Sequence, residues 1–182
     1  MLSSNQIGAV YMAISAVSFS IMDILVKIMS ASYPTGEIVF FRGLFGLIPI
    51  FFIIPRERYK NLFQTKKLKM HLARAFIGTF GMLWIFLAVK YLPIAEAITI
   101  TFAAPVFATI FSMIILKEVI KLFRWVAIII GLAGVVIILK PGTELFTVYS
   151  LFPLMFCLFF GIIAILIKKL SKTEPDYLIA TF

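Results

Sequence analysis

The chain of 182 residues is poor in the side chains that carry most catalytic and metal chemistry, with one cysteine, one histidine and eight acidic residues. Because Cys157 and His71 are alone of their kinds, the sequence has no disulfide framework, no Cys/His metal cluster and no Cys/His dyad. It also lacks the glycine-rich loop that binds nucleotide phosphates, so ATP is not expected to drive it. We predict a protein that is not an enzyme and that needs no cofactor or metal.

Apolar side chains are abundant instead: 63% of the residues are hydrophobic, and the mean hydropathy is +1.12. Soluble domains average roughly 45–50% apolar residues. The apolar residues form blocks of about 20, the length that a helix needs to cross the hydrocarbon core of a bilayer. We predict an all-α, multi-pass membrane protein with spans at residues 7–28, 37–54, 70–92, 94–116, 125–139 and 146–167.

The net charge of +9 comes from 17 basic residues that gather between the spans. Seven lie within 56–74, three within 117–124 and three within 168–172, whereas the alternate connections contain only Lys90 and Lys140. Since cytoplasmic loops of membrane proteins are enriched in Lys and Arg, we predict a cytoplasmic N-terminus. A nucleic-acid-binding face is not expected, because no loop is long enough to form a folded basic surface.

One segment of the sequence recurs. Residues 19–41, "FSIMDILVKIMSASYPTGEIVFF", align without a gap with residues 160–182, "FGIIAILIKKLSKTEPDYLIATF". Lys27 aligns with Lys168 and Ser30 with Ser171. Because an odd number of spans, five, separates the copies, the second enters the membrane in the opposite sense, as in inverted-repeat carriers. We predict one five-helix unit at 1–141, and at 142–182 the sixth helix and a stub of the seventh, an incomplete second unit.

Three stretches carry a resemblance to a known family. They are "EIVFFRGLFG" (37–46), the long run 73–120 with "AVKYLPIAEA" and a mid-span proline, and "RWVAIIIGLAGVVIILKPG" (124–142). The chain resembles the EamA unit of the drug/metabolite transporter superfamily, and within it is similar to the branch of S-adenosylmethionine uptake transporters. The resemblance implies ten helices in two inverted units, a central cavity, both termini in the cytoplasm and a location in the bacterial inner membrane. The chain departs from it by lacking most of the second unit.

Four charged residues lie within or at the edge of the first two spans. A charge at mid-bilayer costs roughly 2.5–3.5 kcal/mol on insertion scales, so it usually pairs or faces a wet cavity. Depth in the membrane matches Asp23 with Arg42 and Lys27 with Glu37, and we predict two ion pairs at an external vestibule. These residues then contact substrate or protons, or they only fix helix register and extend toward the interface.

Four further residues are candidates for the transport pathway. Glu96 lies in a first helical turn after a proline, where a carboxylate is favoured by the helix dipole, although it could also recognise a cationic substrate. Pro105 interrupts the fourth span and frees the carbonyl of Thr101, a pattern found at carrier binding sites as well as at simple kinks. Trp84 could stack on a ligand or fill space.

Paired glycines recur on the predicted helices and suggest close helix contacts, because tight backbone approach drives packing in lipid. The pairs are Gly43/Gly46, Gly78/Gly81 and Gly131/Gly134.

The leading functional hypothesis is a secondary carrier that moves a small polar or amphipathic metabolite by alternating access. The metabolite would be an amino-acid derivative, an amine or S-adenosylmethionine, with proton coupling or exchange as the driving force. The alternative is a truncated, non-transporting or partner-dependent membrane protein derived from such a carrier. Its partners would be the lipid bilayer and a second copy or second half-unit.

Overall fold

The computed structural model describes residues 4–53, 65, 67–139, 147–175 and 178–179. In these ranges the chain is helical, with no strand, which confirms the all-α prediction. The helices are α1 (Ser4–Met29), α2 (Thr35–Ile53), α3 (Leu68–Tyr91), α4 (Ile94–Thr101), α5 (Ala104–Leu116), α6 (Leu122–Leu139) and α7 (Leu151–Leu170), the last preceded by a 3₁₀ turn (Val148–Ser150).

Four segments of the described chain are long and apolar enough to cross a membrane, so the protein is a multi-pass membrane protein. They are Gln6–Met29, Leu68–Tyr91, Ile94–Leu116 and Val148–Leu170. The other two predicted spans form the helices α2 and α6. Most of the predicted basic connection at 56–67, and the start of the sixth predicted span, lie outside the described residues.

The packed centre of the bundle is α7, which lies against α3 on one side and α5 on the other. Glycine allows both approaches. A Cβ added at Gly161 would meet backbone atoms of Phe107 and Ala108 at 2.9 and 3.0 Å, and one added at Gly81 would lie 3.2 Å from Phe159 Cβ. A methyl group at Gly161 would overlap the backbone of α5 and one at Gly81 would crowd α7, so α7 lies in close contact with both helices at these positions.

The fourth predicted span is two helices, α4 and α5, separated by a turn at Phe102 and Ala103. Pro105 lies in the first turn of α5, where its missing N–H costs nothing. The carbonyl of Thr101, which was predicted to lose its helical partner, instead lies 3.8 Å from Cys157 Sγ on α7, and that thiol also donates to the Ile100 carbonyl at 3.5 Å. The interruption is therefore held by a buried thiol.

Of the three predicted glycine contacts, only the pair on α3 is confirmed. Gly78 and Gly81 both face α7, whereas a Cβ added at Gly43, Gly46, Gly131 or Gly134 would have no atom of the described chain within 4 Å. For those two pairs the prediction is wrong within residues 4–53, 67–139 and 147–175. Their spacing places both glycines on one helix face, but spacing does not determine whether another helix covers that face.

The turn after α1 and the turn after α7 share one hydrogen-bond pattern. Ser30 Oγ donates to the Lys27 carbonyl at 2.8 Å, and Ser171 Oγ donates to the Lys168 carbonyl at 3.2 Å. Backbone hydrogen bonds also match at an offset of 141 residues, including those in which the Pro34 and Pro175 carbonyls accept at the start of the next helix. The matched pairs, written from the N–H donor to the carbonyl acceptor, are Ser30→Val26 with Ser171→Ile167, Tyr33→Met29 with Glu174→Leu170, Glu37→Pro34 with Leu178→Pro175, and Ile38→Pro34 with Ile179→Pro175.

The contacts of α3 show that α1 and α7 run in opposite directions. The end of α1 reaches the end of α3, where Lys27 Nζ donates to the Leu92 carbonyl at 2.8 Å. The start of α7 lies at that same end, with Tyr149 stacked on Tyr91 at 4.7 Å. The chain after α7 lies at the start of α3, where Glu174 accepts a hydrogen bond from Thr65.

Candidate functional site

A cavity of about 330 Å³ lies where α1, α2, α3, α4 and α7 converge. Two charged side chains, Asp23 and Arg42, are placed on its wall by α1 and α2. The rest of the wall is apolar, with Thr101 as a further polar contribution: Phe19, Met22, Gly78, Gly81, Met82, Ile85, Phe86, Ile98, Phe156 and Ile163. An anionic and a cationic group therefore face one mostly apolar chamber.

The guanidinium of Arg42 is held by sulfur and by an aromatic ring. Its Nε donates to Met22 Sδ at 3.4 Å and its Nη1 to Met82 Sδ at 2.7 Å. Its Cζ lies 6.0 Å from the ring centroid of Phe86, within cation–π range. Thioether sulfur is a weak acceptor and carries no charge. These contacts orient the guanidinium without neutralising it.

Asp23 and Arg42 are close enough for their charges to interact, as their depths predicted. The predicted direct ion pair is wrong, since within the described ranges the salt bridge that forms is between Lys168 and Glu118. The physical reason is that Arg42 directs Nε and Nη1 at the sulfurs of Met22 and Met82, which take two of its five N–H groups and leave the other three. Both charges thus remain available to a third group in the cavity.

The predicted pair of Lys27 and Glu37 is also wrong. Lys27 Nζ donates to the carbonyls of Lys90 and Leu92 at 3.1 and 2.8 Å. Carbonyls in the last turn of a helix lack N–H partners, and Pro93 cannot supply one, so the negative end of α3 attracts the ammonium group. Glu37 is exposed in the first turn of α2. Lys27 therefore joins α1 to α3.

Of the four remaining candidates, one lines the charged cavity and three do not. Thr101 lies at the cavity, where its Oγ1 donates to the Ile98 carbonyl at 2.6 Å. Pro105 lines a different groove, between α5 and α6. Glu96 lies in the first turn of α4 as predicted, and its Oε1 is buried with no hydrogen-bond partner among the described residues. Neither Glu96 nor Trp84 lines the cavity.

Trp84 belongs to an aromatic cluster that joins α3 to the start of α7. Its ring lies 5.4 Å from that of Phe152, which also contacts Tyr91 and Tyr149 at 6.1 and 5.8 Å. Aromatic pairs at these distances contribute roughly 0.5–1.5 kcal/mol beyond the area they bury. The space-filling interpretation of Trp84 is the one these contacts support.

Sequence reasoning missed a polar cluster at the other end of the bundle. Lys117 takes a left-handed conformation with φ 52° and ends α5, which turns Glu118 back toward the helix. Lys168 Nζ lies 2.6 Å from both carboxylate oxygens of Glu118, and Ser112 Oγ donates to the same group. These hydrogen bonds from Lys168 and then Ser112 lower the pKa of Glu118 below its ordinary value. The alignment of Lys168 with Lys27 was the available signal.

Comparison with known proteins finds relatives that are named as transporters. The chain is 28% identical over 170 residues to the riboflavin transporter of Vibrio cholerae serotype O1, covering 92% of this chain and 57% of that protein. It is 31% identical over 175 residues to the S-adenosylmethionine uptake transporter of Rickettsia bellii, covering 95% and 59%. It is 28% identical over 171 residues to the pseudopaline exporter of Pseudomonas aeruginosa, covering 93% and 60%.

The chain spans little more than half the length of these curated relatives. No solved structure gives a significant match. The model of the EamA-like transporter family matches residues 6–140, which is most of the chain and includes every helix that lines the cavity except α7. The chain belongs to the EamA-like transporter family.

Proposed function

We propose that the chain forms part of a secondary carrier of the bacterial inner membrane that moves a small polar or amphipathic metabolite through the Asp23–Arg42 cavity. The single observation that carries this proposal is a pair of opposite charges on one cavity wall without a direct ion pair between them. Each charge costs roughly 2.5–3.5 kcal/mol to insert at mid-bilayer. A ligand that contacts both would recover part of that cost.

The chemistry of the wall favours a substrate with a cationic and an anionic end and an apolar or aromatic body. Arg42 suits a carboxylate, which its N–H groups can bind in a fork. Asp23 suits an amine, and Phe19, Phe86 and Phe156 supply flat apolar surface. An amino-acid derivative or S-adenosylmethionine has this character. The relatives are named for three different cargoes, riboflavin, S-adenosylmethionine and pseudopaline. Their names therefore support a transport function but do not favour any one of these substrates.

Residues 1–141 form one five-helix unit in this proposal, and residues 142–182 begin a second, inverted unit. Two observations support it: the hydrogen-bond pattern repeated at an offset of 141 residues, and the opposite directions of α1 and α7. Inverted units allow alternating access, because each unit can adopt the conformation of the other. The basic loops favour a cytoplasmic N-terminus.

Accumulation of substrate would require proton coupling or exchange against an internal solute. Among the carboxylates considered from the sequence, Asp23 is the one that lines the cavity, whereas Glu37 is exposed at the start of α2 and Glu96 faces elsewhere. Proton coupling would therefore act through Asp23.

The test is uptake of labelled metabolites into proteoliposomes, with S-adenosylmethionine and amino-acid derivatives in the screen. Asp23→Asn and Arg42→Gln should each abolish uptake while the protein still inserts and folds. Glu37→Gln, which removes a carboxylate outside the cavity, is the matched control and should retain uptake. If Asp23→Asn transports like the parent, the charged cavity is not the pathway.

A second candidate is a protein that transports only when a partner completes it, or not at all. The observation that favours it is the chain's coverage of 57–60% of the three relatives named above. A second copy of the chain or a separate half-unit would be the partner. Uptake by the 182-residue chain alone would argue against this candidate, whereas uptake only after addition of the remaining helices of a relative would support it.

A further inference from the structure

A groove of about 550 Å³ separates α6 from α4 and α5, on the side of α5 away from α7. Pro105, Val106 and Thr109 form one wall. The opposite wall carries Gly131 and Gly134, where an added Cβ would meet no described atom within 4 Å. The groove is therefore open, elongated along α6 and almost entirely apolar.

α5 presents different faces to the groove and to α7. The face toward α7 carries Phe107 and Ala108, which touch Gly161. The face toward the groove carries Val106, which precedes Phe107, and Thr109, which follows Ala108. The groove is thus separate from the charged cavity and is not filled by the helix that packs against α5.

One end of the groove is strongly basic. Arg124, in the first turn of α6, is part of its lining. Lys117 and Lys121 lie in the same short connection between α5 and α6. The carboxylate of that connection, Glu118, is occupied by Lys168 of α7. One cationic side chain, Arg124, therefore lines an apolar groove, two further lysines lie in the adjoining connection, and the acid of that connection is already paired with Lys168.

We propose that this groove binds an anionic phospholipid of the bilayer, with an acyl chain along Gly131 and Gly134 and the phosphate at Arg124. Basic pockets between membrane helices bind anionic headgroups, and arginine matches phosphate geometry in a fork. The charge selects the occupant, because a zwitterionic lipid would bring its ammonium group near the guanidinium of Arg124. An apolar protein helix would fill the groove but offer Arg124 no anionic partner.

The two tryptophans of the chain make this testable. Trp125 follows Arg124 in the first turn of α6, so Trp84→Phe leaves one fluorophore on the helix turn that carries the groove's arginine. The purified 182-residue protein carrying Trp84→Phe is placed in vesicles of brominated phosphatidylglycerol mixed with unbrominated phosphatidylcholine, and then in the reverse mixture. Bromine quenches tryptophan on contact, so the two quenching curves give the preference of the groove for the anionic lipid.

The anionic lipid should be preferred at Trp125, and Arg124→Gln should lower that preference about fivefold, the effect of roughly 1 kcal/mol per basic side chain at a membrane surface. Gly134→Leu, which places a side chain in the groove, should lower quenching by the anionic lipid while Arg124 is present. Lys172→Gln, at an exposed basic site beyond α7, is the matched control and should keep the preference.

Equal quenching by both lipids in the Trp84→Phe protein overturns the proposal, as does an unchanged preference in Arg124→Gln. Absence of quenching by either lipid also overturns it, since a second copy or another helix would then cover the groove. Circular dichroism of each variant identifies any that fails to fold. For such a variant, Lys121→Gln replaces Arg124→Gln, with the same direction of change expected.

Discussion

The two halves of the bundle are packed in different ways. The helices α3, α5 and α7 are joined by glycine contacts and an aromatic cluster, and a buried thiol on α7 adds α4 to this group. The helices α1, α2 and α6 contact the rest less extensively, and most of the α1 surface is exposed. The helix α7 is thus bound more tightly to α3 and α5 than α1 is to the rest of the bundle.

This difference teaches that two helices whose sequences align need not be packed alike. α1 and α7 occupy equivalent positions in the alignment, yet α7 lies inside a three-helix core and α1 lies at its margin. In this chain α7 lies against α3 and against α5, which is the second half of the fourth predicted span. If the proposed second unit were complete and related to the first by twofold symmetry, α1 would lie in the same way against the third and fourth spans of that second unit. The contrast between the two regions is open to direct experiment.

The largest expected effect is at the closest helix contact. Gly161→Leu should destabilise the protein by about 3 kcal/mol, because the new side chain would overlap the backbone of Phe107 and Ala108. Thermal unfolding in detergent measures the loss. Gly43→Leu is the matched control, since nothing described lies within 4 Å of its Cβ position, and it should melt like the parent. Equal losses in both variants would show that α7 is no better packed than α2.

The next effect concerns the link between α1 and α3. Lys27→Met should cost about 2 kcal/mol, because two carbonyls at the end of α3 lose a charged donor. Lys27→Arg keeps a cationic donor and should recover most of the loss. The same unfolding assay distinguishes them. A parent-like melting temperature for Lys27→Met would mean that water satisfies these carbonyls and that the link is unimportant.

A smaller effect is expected at the interrupted fourth span. Cys157→Ala should lose about 1 kcal/mol through the missing thiol donor to the Ile100 carbonyl. Cys157→Ser retains a donor of similar size and should lie between the alanine variant and the parent. The opposite order, with serine less stable than alanine, would indicate that the thiol acts only by filling space.

The smallest effect is expected at the exposed Glu118–Lys168 pair, and it should depend on pH. The pKa of Glu118 lies below its ordinary 4.5 in the folded protein, so the pair stabilises above that value and loses its contribution as the pH falls through the lowered pKa. Glu118→Gln should therefore melt slightly below the parent at pH 7, and the difference should vanish at pH well below 4.5. A difference that grows on acidification would contradict this assignment.

The sequence predicted the architecture well where one pattern decides the outcome. Helix positions followed from apolar length, and the predicted bounds differ from the observed ones by a few residues. The proximity of Asp23 and Arg42 followed from depth alone, because adjacent helices bring equal depths together. The alignment of Lys27 with Lys168 led to a repeated turn.

The failed predictions each required knowledge of a distant segment. Depth matched Lys27 with Glu37, but Lys27 binds the carbonyls at the end of α3, which lack helical N–H partners. Nothing local to Cys157 indicates that it lies opposite the interruption before Pro105. Glycine spacing could not separate the covered pair on α3 from the open pair on α6.

The most direct test of the account is the membrane side of two equivalent turns. Ser32 and Thr173 occupy corresponding positions, 141 residues apart, in the turns after α1 and α7. Each is replaced by cysteine in the full chain, where Cys157 is buried, and labelled in whole cells with a membrane-impermeant maleimide. The inverted arrangement predicts that Ser32→Cys is labelled from outside and Thr173→Cys only after the cells are opened. Labelling of both from the same side would contradict it.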